Sequence, residues 1–412
     1  MTGNNYTTSR SSILLSNGQY LSKAQPTYGE YAADQVVNVK AVAAYPVKGD
    51  ASTDDSTSLN AILAQNAENC KISYFPYGVY VVKSTLVIPP GTRIVGEGWP
   101  VIMGLGDAFS SAANPTPIVQ VGAPNSSGVA EIQDMRFTVG EVLPGAIIVQ
   151  VNMAGNPGDV GFWNSHITVG GTAESSINSD CSNGDAVGCM AAFAMLHLSS
   201  TSSAYVENMW GWTADHSLDG GPQQRIATGR GMLVEATKGT WLSGTAFEHN
   251  WLYQYNLVNA QNVFAGMQQT ETAYFQGASA VEAVPAPWAA NASWGDPDYS
   301  WCAGGANSCR MGLAENIDGG SNIHLYNGAF WAFFHGPWDN NYSSSDPYRC
   351  GADCQTNMVR VASSPTSLTW YGLDTSVSDK MVLDTVSSPS EFNNPGGWSP
   401  FGGQIAAYLS YA

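Results

Sequence analysis

VNVKAVAAYPVKGDASTDDSTSLNAILAQN (residues 37–66) reads as a strand, a turn rich in Asp and Gly, and a short helix. KISYFPYGVYVVKSTLVIPPGTRIVGEG (71–98) follows as strand, Pro-Gly turn, strand, Pro-Pro-Gly turn, strand. Asp55 or Ser56 is placed to cap the helix, and Leu59, Ile62 and Leu63 form its apolar face. Outward from this block, to about residue 375, come short β-rich runs such as PIVQVG (117–122), GAIIVQVN (145–152), GMLVEAT (231–237) and TWLSGTAF (240–247). Many are apolar at nearly every position, as parallel strands buried under stacked neighbours require. Asn-Gly hairpin signals occur at Asn17, Asn183 and Asn327, too few for an antiparallel sandwich. A coil of three short strands and three turns needs roughly 20–30 residues. The expected fold is therefore all-β: a right-handed, single-stranded parallel β-helix with a short N-terminal cap helix.

Residues 1–36 are polar and irregular and read as a lead-in or linker; residues 37–412 read as the β-helix domain. Loops near 171–190 and 278–310 interrupt the repeat, and insertions of this kind commonly line one face of a solenoid and build its binding site.

Charged residues are only 12% of the 412, and the formal net charge is −18. A chain so poor in Lys and Arg is unsuited to nucleic acid, to anionic membrane surfaces and to acidic polymers such as pectate. A neutral substrate fits better, and 13 Trp and 19 Tyr supply flat apolar rings for it. Six of seven cysteines form close pairs, Cys181 with Cys189, Cys302 with Cys309 and Cys350 with Cys354, read as disulfides pinning loops in an oxidising compartment. Cys70 is left over and is expected as a buried free thiol. Sequons at Asn5, Asn125, Asn291 and Asn341 are compatible with secretion. The opening MTGNNYTTSRSS lacks the charged and apolar regions of a signal peptide, and no stretch is a membrane span. Secretion then requires a signal outside this chain, or the chain is part of something longer.

The opening block, with GDASTDD and LVIPPGTRIVGEG, resembles the cap and first coils of pectin-lyase-like β-helices, a likeness of fold and not of chemistry. WTADHSLDG (212–220), GTAFEHNWLYQYNLVNA (244–260), MQQTETAYFQ (267–276), IHLYNGAFWAFF (323–334) and CGADCQ (350–355) resemble glycoside hydrolase family 55. That resemblance implies a β-1,3-glucanase acting from chain ends with inversion, releasing glucose from laminarin-type glucan without a cofactor or metal. It also implies a cleft shared with a second, N-terminal β-helix domain, making this chain the second half of a two-domain enzyme. An inactive glucan-binding fragment is the alternative. A lyase on the same fold is disfavoured, because it calls for Ca²⁺ and basic residues.

Glycoside hydrolysis needs a carboxylic acid at the leaving oxygen and a base or nucleophile opposite. Glu248 and Glu271 lie 271 − 248 = 23 residues apart, about one coil, so both are expected on neighbouring coils roughly 4.8 Å apart. Repulsion between them should raise one pKa, as a general acid requires. The resemblance implies Glu271 as that acid and Glu248 as an adjacent assisting carboxylate; its motif names no base. The competing reading is two stacked glutamates that only bond turn backbones. Asp215 and Asp219, with His216 between them, read either as binders of sugar hydroxyls or as an Asx-turn loop. Adjacent residues point apart on a strand, which argues against a metal at Asp215 and His216; His249 reads as a turn filler. Trp251, Tyr253 and Tyr274 are expected substrate contacts, set against packing inside the solenoid.

Overall fold

The computed structural model describes residues 9–182, 185–218, 224–274, 276, 283–305, 307–332, 355–385, 391–393 and 403–410. Asp219, Asn5, Asn341 and the Cys350–Cys354 pair lie outside the described residues. The chain winds as a parallel β-helix, with two long sheets of 10 and 16 strands running along its axis. The early coils carry three strands each, as in Leu86–Ile88, Thr92–Gly96 and Val101–Gly104. From Ala204 onward two of the three merge into one bent strand: Ala204–Thr213, Thr240–Glu248, Gln261–Glu271, Ser321–Trp331 and Leu368–Ser376.

Each merged strand has a residue of positive φ in its middle, namely Asn208, Gly244, Met267, Asn327 and Gly372, which the register aligns in one column. Asn tolerates this left-handed conformation because its short polar side chain bonds locally. The column explains Asn327-Gly328: it makes a corner inside a continuous strand, because parallel neighbours already occupy both edges. Asn17-Gly18 does make an antiparallel hairpin, Leu15–Ser16 with Gln19–Tyr20.

Where no loop intervenes, the coil period falls within the expected range. Partnered positions are 160 − 130 = 30 residues apart in one pair of coils and 263 − 240 = 23 in another. Between Val263 and Ile323 the step is 323 − 263 = 60, because the whole loop carrying Cys302 and Cys309 is inserted there. Loop closure costs little more as a loop lengthens, so insertions enter without disturbing the register.

Inside, apolar side chains stack in rows such as Val206, Leu242, Ala265, Leu325 and Trp370. The helix Ser56–Glu68 closes the first coil with Leu59, Ile62 and Leu63 buried, each contributing roughly 1.5–3 kcal/mol. Asp55 stands at its N-cap, although its carboxylate accepts from the Lys48 and Gly49 amides rather than from the helix. At the other end the antiparallel strand Gly403–Ser410 covers Leu368–Ser376. The lead-in has no core of its own and lies along the outside of the solenoid. There Leu14, Tyr20 and Leu21 pack on Trp163, Tyr205, Trp241 and Phe264.

Disulfides join Cys181 to Cys189 and Cys302 to Cys309. Cys70 is exposed rather than buried: it follows the helix in a turn at φ +51°, which directs it away from the core. Among the described residues no helix is long and apolar enough to cross a membrane.

Candidate active site

Two merged strands end at the carboxylates, Thr240–Glu248 and Gln261–Glu271. Thr245 partners Gln268 and Ala246 partners Gln269, so two residues further on the same offset sets Glu248 beside Glu271. The His249 amide donates to the Glu271 carbonyl at 2.9 Å and extends that alignment. On the coils to either side Trp212 partners Glu248 and Trp331 partners Glu271. Strand alternation decides the face: Phe247 and Thr270 turn into the core, so their neighbours Glu248 and Glu271 turn outward. The result is one column of Trp212, Glu248, Glu271 and Trp331, in which Trp212 is buried and packs with the main apolar cluster.

The two carboxylates have different surroundings. Trp210 donates its indole N–H to Glu248 Oε2 at 2.8 Å, and its ring stacks on Trp212 at 5.1 Å. Burial pushes the Glu248 carboxyl up, with the Glu271 charge adding, and these outweigh the opposing effects of His249, Trp210 and Gln269. Glu271 behaves oppositely. Burial drives it upward, but the hydrogen bond and charge of His249 and the Tyr274 hydroxyl prevail and hold it below the ordinary glutamate range. One carboxyl of the pair is thus raised, but it is Glu248.

His249 is the partner that sequence reasoning set aside. Simple alternation would send it away from Glu248, but φ +61° turns it back onto the same face. Its Nδ1–H donates to the Thr213 carbonyl at 2.9 Å, which leaves Nε2 facing Glu271 Oε2 at 3.1 Å. Burial lowers its basicity, yet Glu271, Glu248 and Asp215 together raise it, so the charged imidazolium is favoured beside the carboxylate. The Tyr274 hydroxyl donates to the same Oε2, and its ring lies 4.1 Å from the imidazole. Oε1 of Glu271 has no hydrogen-bond partner among the described residues and is the atom left for a ligand.

The remaining expected contacts divide. Asp215 bonds His216 at 2.8 Å and stands 3.9 Å from His249 Nδ1. With Thr213, Gln224, His249 and Tyr274 it lines a cavity of about 10 Å³, room for a single water. Trp251 and Tyr253 are corrected. Trp251 is 1% exposed and donates its indole N–H to the Ala286 carbonyl; Tyr253 is wholly buried. Both pack under the inserted loop with Trp288 and Tyr299, since Tyr253 opens a strand of the other sheet, Tyr253–Val258, and Trp251 lies in the turn before it. Trp331 and Gln269 were not singled out in the sequence, although adding 60 to 271 gives Trp331 once the insertion length is known.

The family model described as rhamnogalacturonase A/epimerase, pectate lyase-like, matches residues 36–268. A glucan endo-1,3-beta-glucosidase of Trichoderma harzianum is 42% identical over 413 residues, covering 97% of this chain and 53% of that protein. A glucan 1,3-beta-glucosidase of Cochliobolus carbonum is 35% identical over 368 residues, covering 87% of this chain and 44% of that one. A variant of sacteLam55A from Streptomyces sp. SirexAA-E, solved in complex with glucose, superimposes with a TM-score of 0.51. It is 14% identical, over 86% of this chain and 52% of that one, a likeness of fold. The chain spans about half the length of these curated relatives.

Proposed function

The chain belongs to the pectate lyase-like family of β-helices, and from that premise we propose that it hydrolyses β-1,3-glucan at the Glu248–Glu271 pair. The family model's name also covers enzymes of acidic pectins, which a net charge of −18 repels. Relatives named glucan 1,3-beta-glucosidases, and the likeness to glycoside hydrolase family 55, support a neutral glucan instead. The observation that carries the reading is the column of two carboxylates between Trp212 and Trp331, with one carboxyl raised and the other held ionised.

Glu271 is the general acid. The couple it makes with His249 holds one proton between Oε2 and Nε2, on the imidazole at rest. A sugar covering the site removes the solvent that favours the ion pair, and the proton moves to Glu271. Glu271 then protonates the glycosidic oxygen as the C–O bond breaks, water adds to the anomeric carbon, and the proton it releases replaces the one spent. Glu248 is bonded to Trp210 and pushed up by burial and by the Glu271 charge. It stands on the adjacent coil, whose backbone lies roughly 4.8 Å away along the axis, and the likeness to glycoside hydrolase family 55 supports an assisting rather than a base role for it. Glu248 is therefore the assisting group.

Chain-end attack with inversion and release of glucose, in a secreted protein, completes the proposal. A second reading, a glucan-binding unit that acts only beside another β-helix domain, draws on the half-length match to the relatives. Laminarin digestion followed by proton NMR tests these points. Glucose appearing first as the α-anomer supports chain-end attack with inversion; β-glucose first makes Glu248 a nucleophile, and a ladder of oligosaccharides means internal cleavage. Glu271→Gln is expected to lower turnover about 10²–10⁴-fold. Laminarin bound but not cleaved by the unsubstituted chain favours the second reading.

A further inference from the structure

Trp99 is 43% exposed, so burial does not account for its position. Its φ is +56°, in the left-handed region, and Pro100 follows. A bulky residue there is a backbone outlier, and a following proline favours extended conformations instead. The ring is nevertheless held in place. Its indole N–H donates to the Asn164 carbonyl at 2.8 Å, two coils further along the solenoid, and its face lies 5.3 Å from the His166 ring.

From that ring an unbroken line of contacts leads to the carboxylates. His166 Nδ1 accepts from the Trp210 amide at 3.4 Å, and Trp210 donates to Glu248. Burial, with Arg136 adding, holds His166 below its ordinary range, so a neutral ring stands between the Trp99 indole and the Trp210 backbone. His166, Trp210, Ala246 and Gln269 are partners on successive coils, all turned outward with Glu271. Three coil steps make roughly 14 Å, the reach of a few linked pyranose rings.

We propose that Trp99, with His166 and Trp210, is a binding platform for the sugar units of a β-1,3-glucan chain remote from the bond held at Glu248 and Glu271. Indole faces take the apolar faces of pyranoses, and an exposed ring locked in a strained backbone is preorganised for it. The strain persists because the Asn164 hydrogen bond and the His166 contact over-determine the ring. The proposal rests on the glucan reading above and extends it to a preference for long chains.

The test is calorimetric titration of two β-1,3-gluco-oligosaccharides, three and six units long, into the chain carrying Glu271→Gln to stop turnover. Trp99→Gly is added because glycine suits φ +56°, so the ring is removed without a folding penalty. The six-unit chain is expected to bind more tightly than the three-unit chain. Trp99→Gly should weaken the six-unit chain roughly three- to tenfold and leave the three-unit chain unchanged. Trp99→Phe should restore part of the loss. Unchanged six-unit affinity in Trp99→Gly overturns the platform and leaves the glucan reading standing, as does an equal loss for both lengths. Binding of neither length to the parent protein overturns the glucan reading, and the platform with it.

Discussion

Glu315 shows how much one interior residue sets the protein's pH behaviour. It turns inward on the strand Leu313–Asp318, fully buried, and among the described residues neither carboxyl oxygen has a partner at hydrogen-bond distance, with the Gln268 amide only weakly opposing the effect of burial. Burial pushes it up to about 8, so it is buried as a neutral acid at neutral pH. A raised folded-state pKa stabilises fully below the unfolded value, and that stability is lost as pH rises through about 8. The unfolding midpoint is therefore expected to fall between about pH 4.5 and pH 8 and to level off above, and Glu315→Gln to flatten the fall. An equal fall in both proteins on a thermal melt series refutes this. Glu271 has the opposite sign: held low, it stabilises above the ordinary glutamate range and ceases to do so on acidification. The carboxylates themselves were legible from a 23-residue spacing. Their protonation was not, because His249 reaches Glu271 only through a positive-φ corner that alternation does not predict.

At the scale of elements, the corner column sets where each merged strand turns and hence where each outward row begins. Met267 occupies that column at φ +70° with its side chain exposed, while Gly244 and Gly372 fill equivalent corners without a Cβ. Met267→Gly is expected to stabilise by roughly 0.5–1 kcal/mol, the left-handed penalty less the entropy of an added glycine. A lower unfolding midpoint would show that the Met267 side chain has a contact worth more than the strain. The lead-in is the second such element. Leu14 is fully buried against Trp241, whose indole N–H donates to the Leu14 carbonyl at 3.0 Å. Leu14→Ala should cost about 2–5 kcal/mol and strip the lead-in from the solenoid, read as faster proteolysis of residues 9–35. Nothing in the polar lead-in announces that it docks, since its anchors are single residues spaced without a period.

For the whole molecule, charge and surface chemistry select the partner. With 33 acidic against 15 basic side chains, attraction to an anionic polymer is unfavourable at low salt. Binding of neutral laminarin is expected to change little between about 0.01 and 1 M salt, because stacking and hydrogen bonding to hydroxyls are not screened. Polygalacturonate should fail to bind at the low end. Laminarin binding that falls steeply with salt would contradict a neutral-sugar site.

The amino-acid sequence by itself determined the winding. Apolar runs closed by Gly, Asn and Pro turns have few stable arrangements other than stacked coils, and the Asp55 helix with Leu59, Ile62 and Leu63 closes the end. It also placed Glu248 and Glu271 together, because a one-coil spacing is a linear property of the chain. What only the tertiary structure decided is which neighbours those residues meet across insertions of variable length. Trp331 arrives beside Glu271 after a 60-residue step, and Trp251 and Tyr253 vanish under a loop that follows them. Trp99 reaches His166 across two coils. Such contacts depend on three-dimensional register and on the local sign of φ, neither of which a hydrophobic pattern encodes.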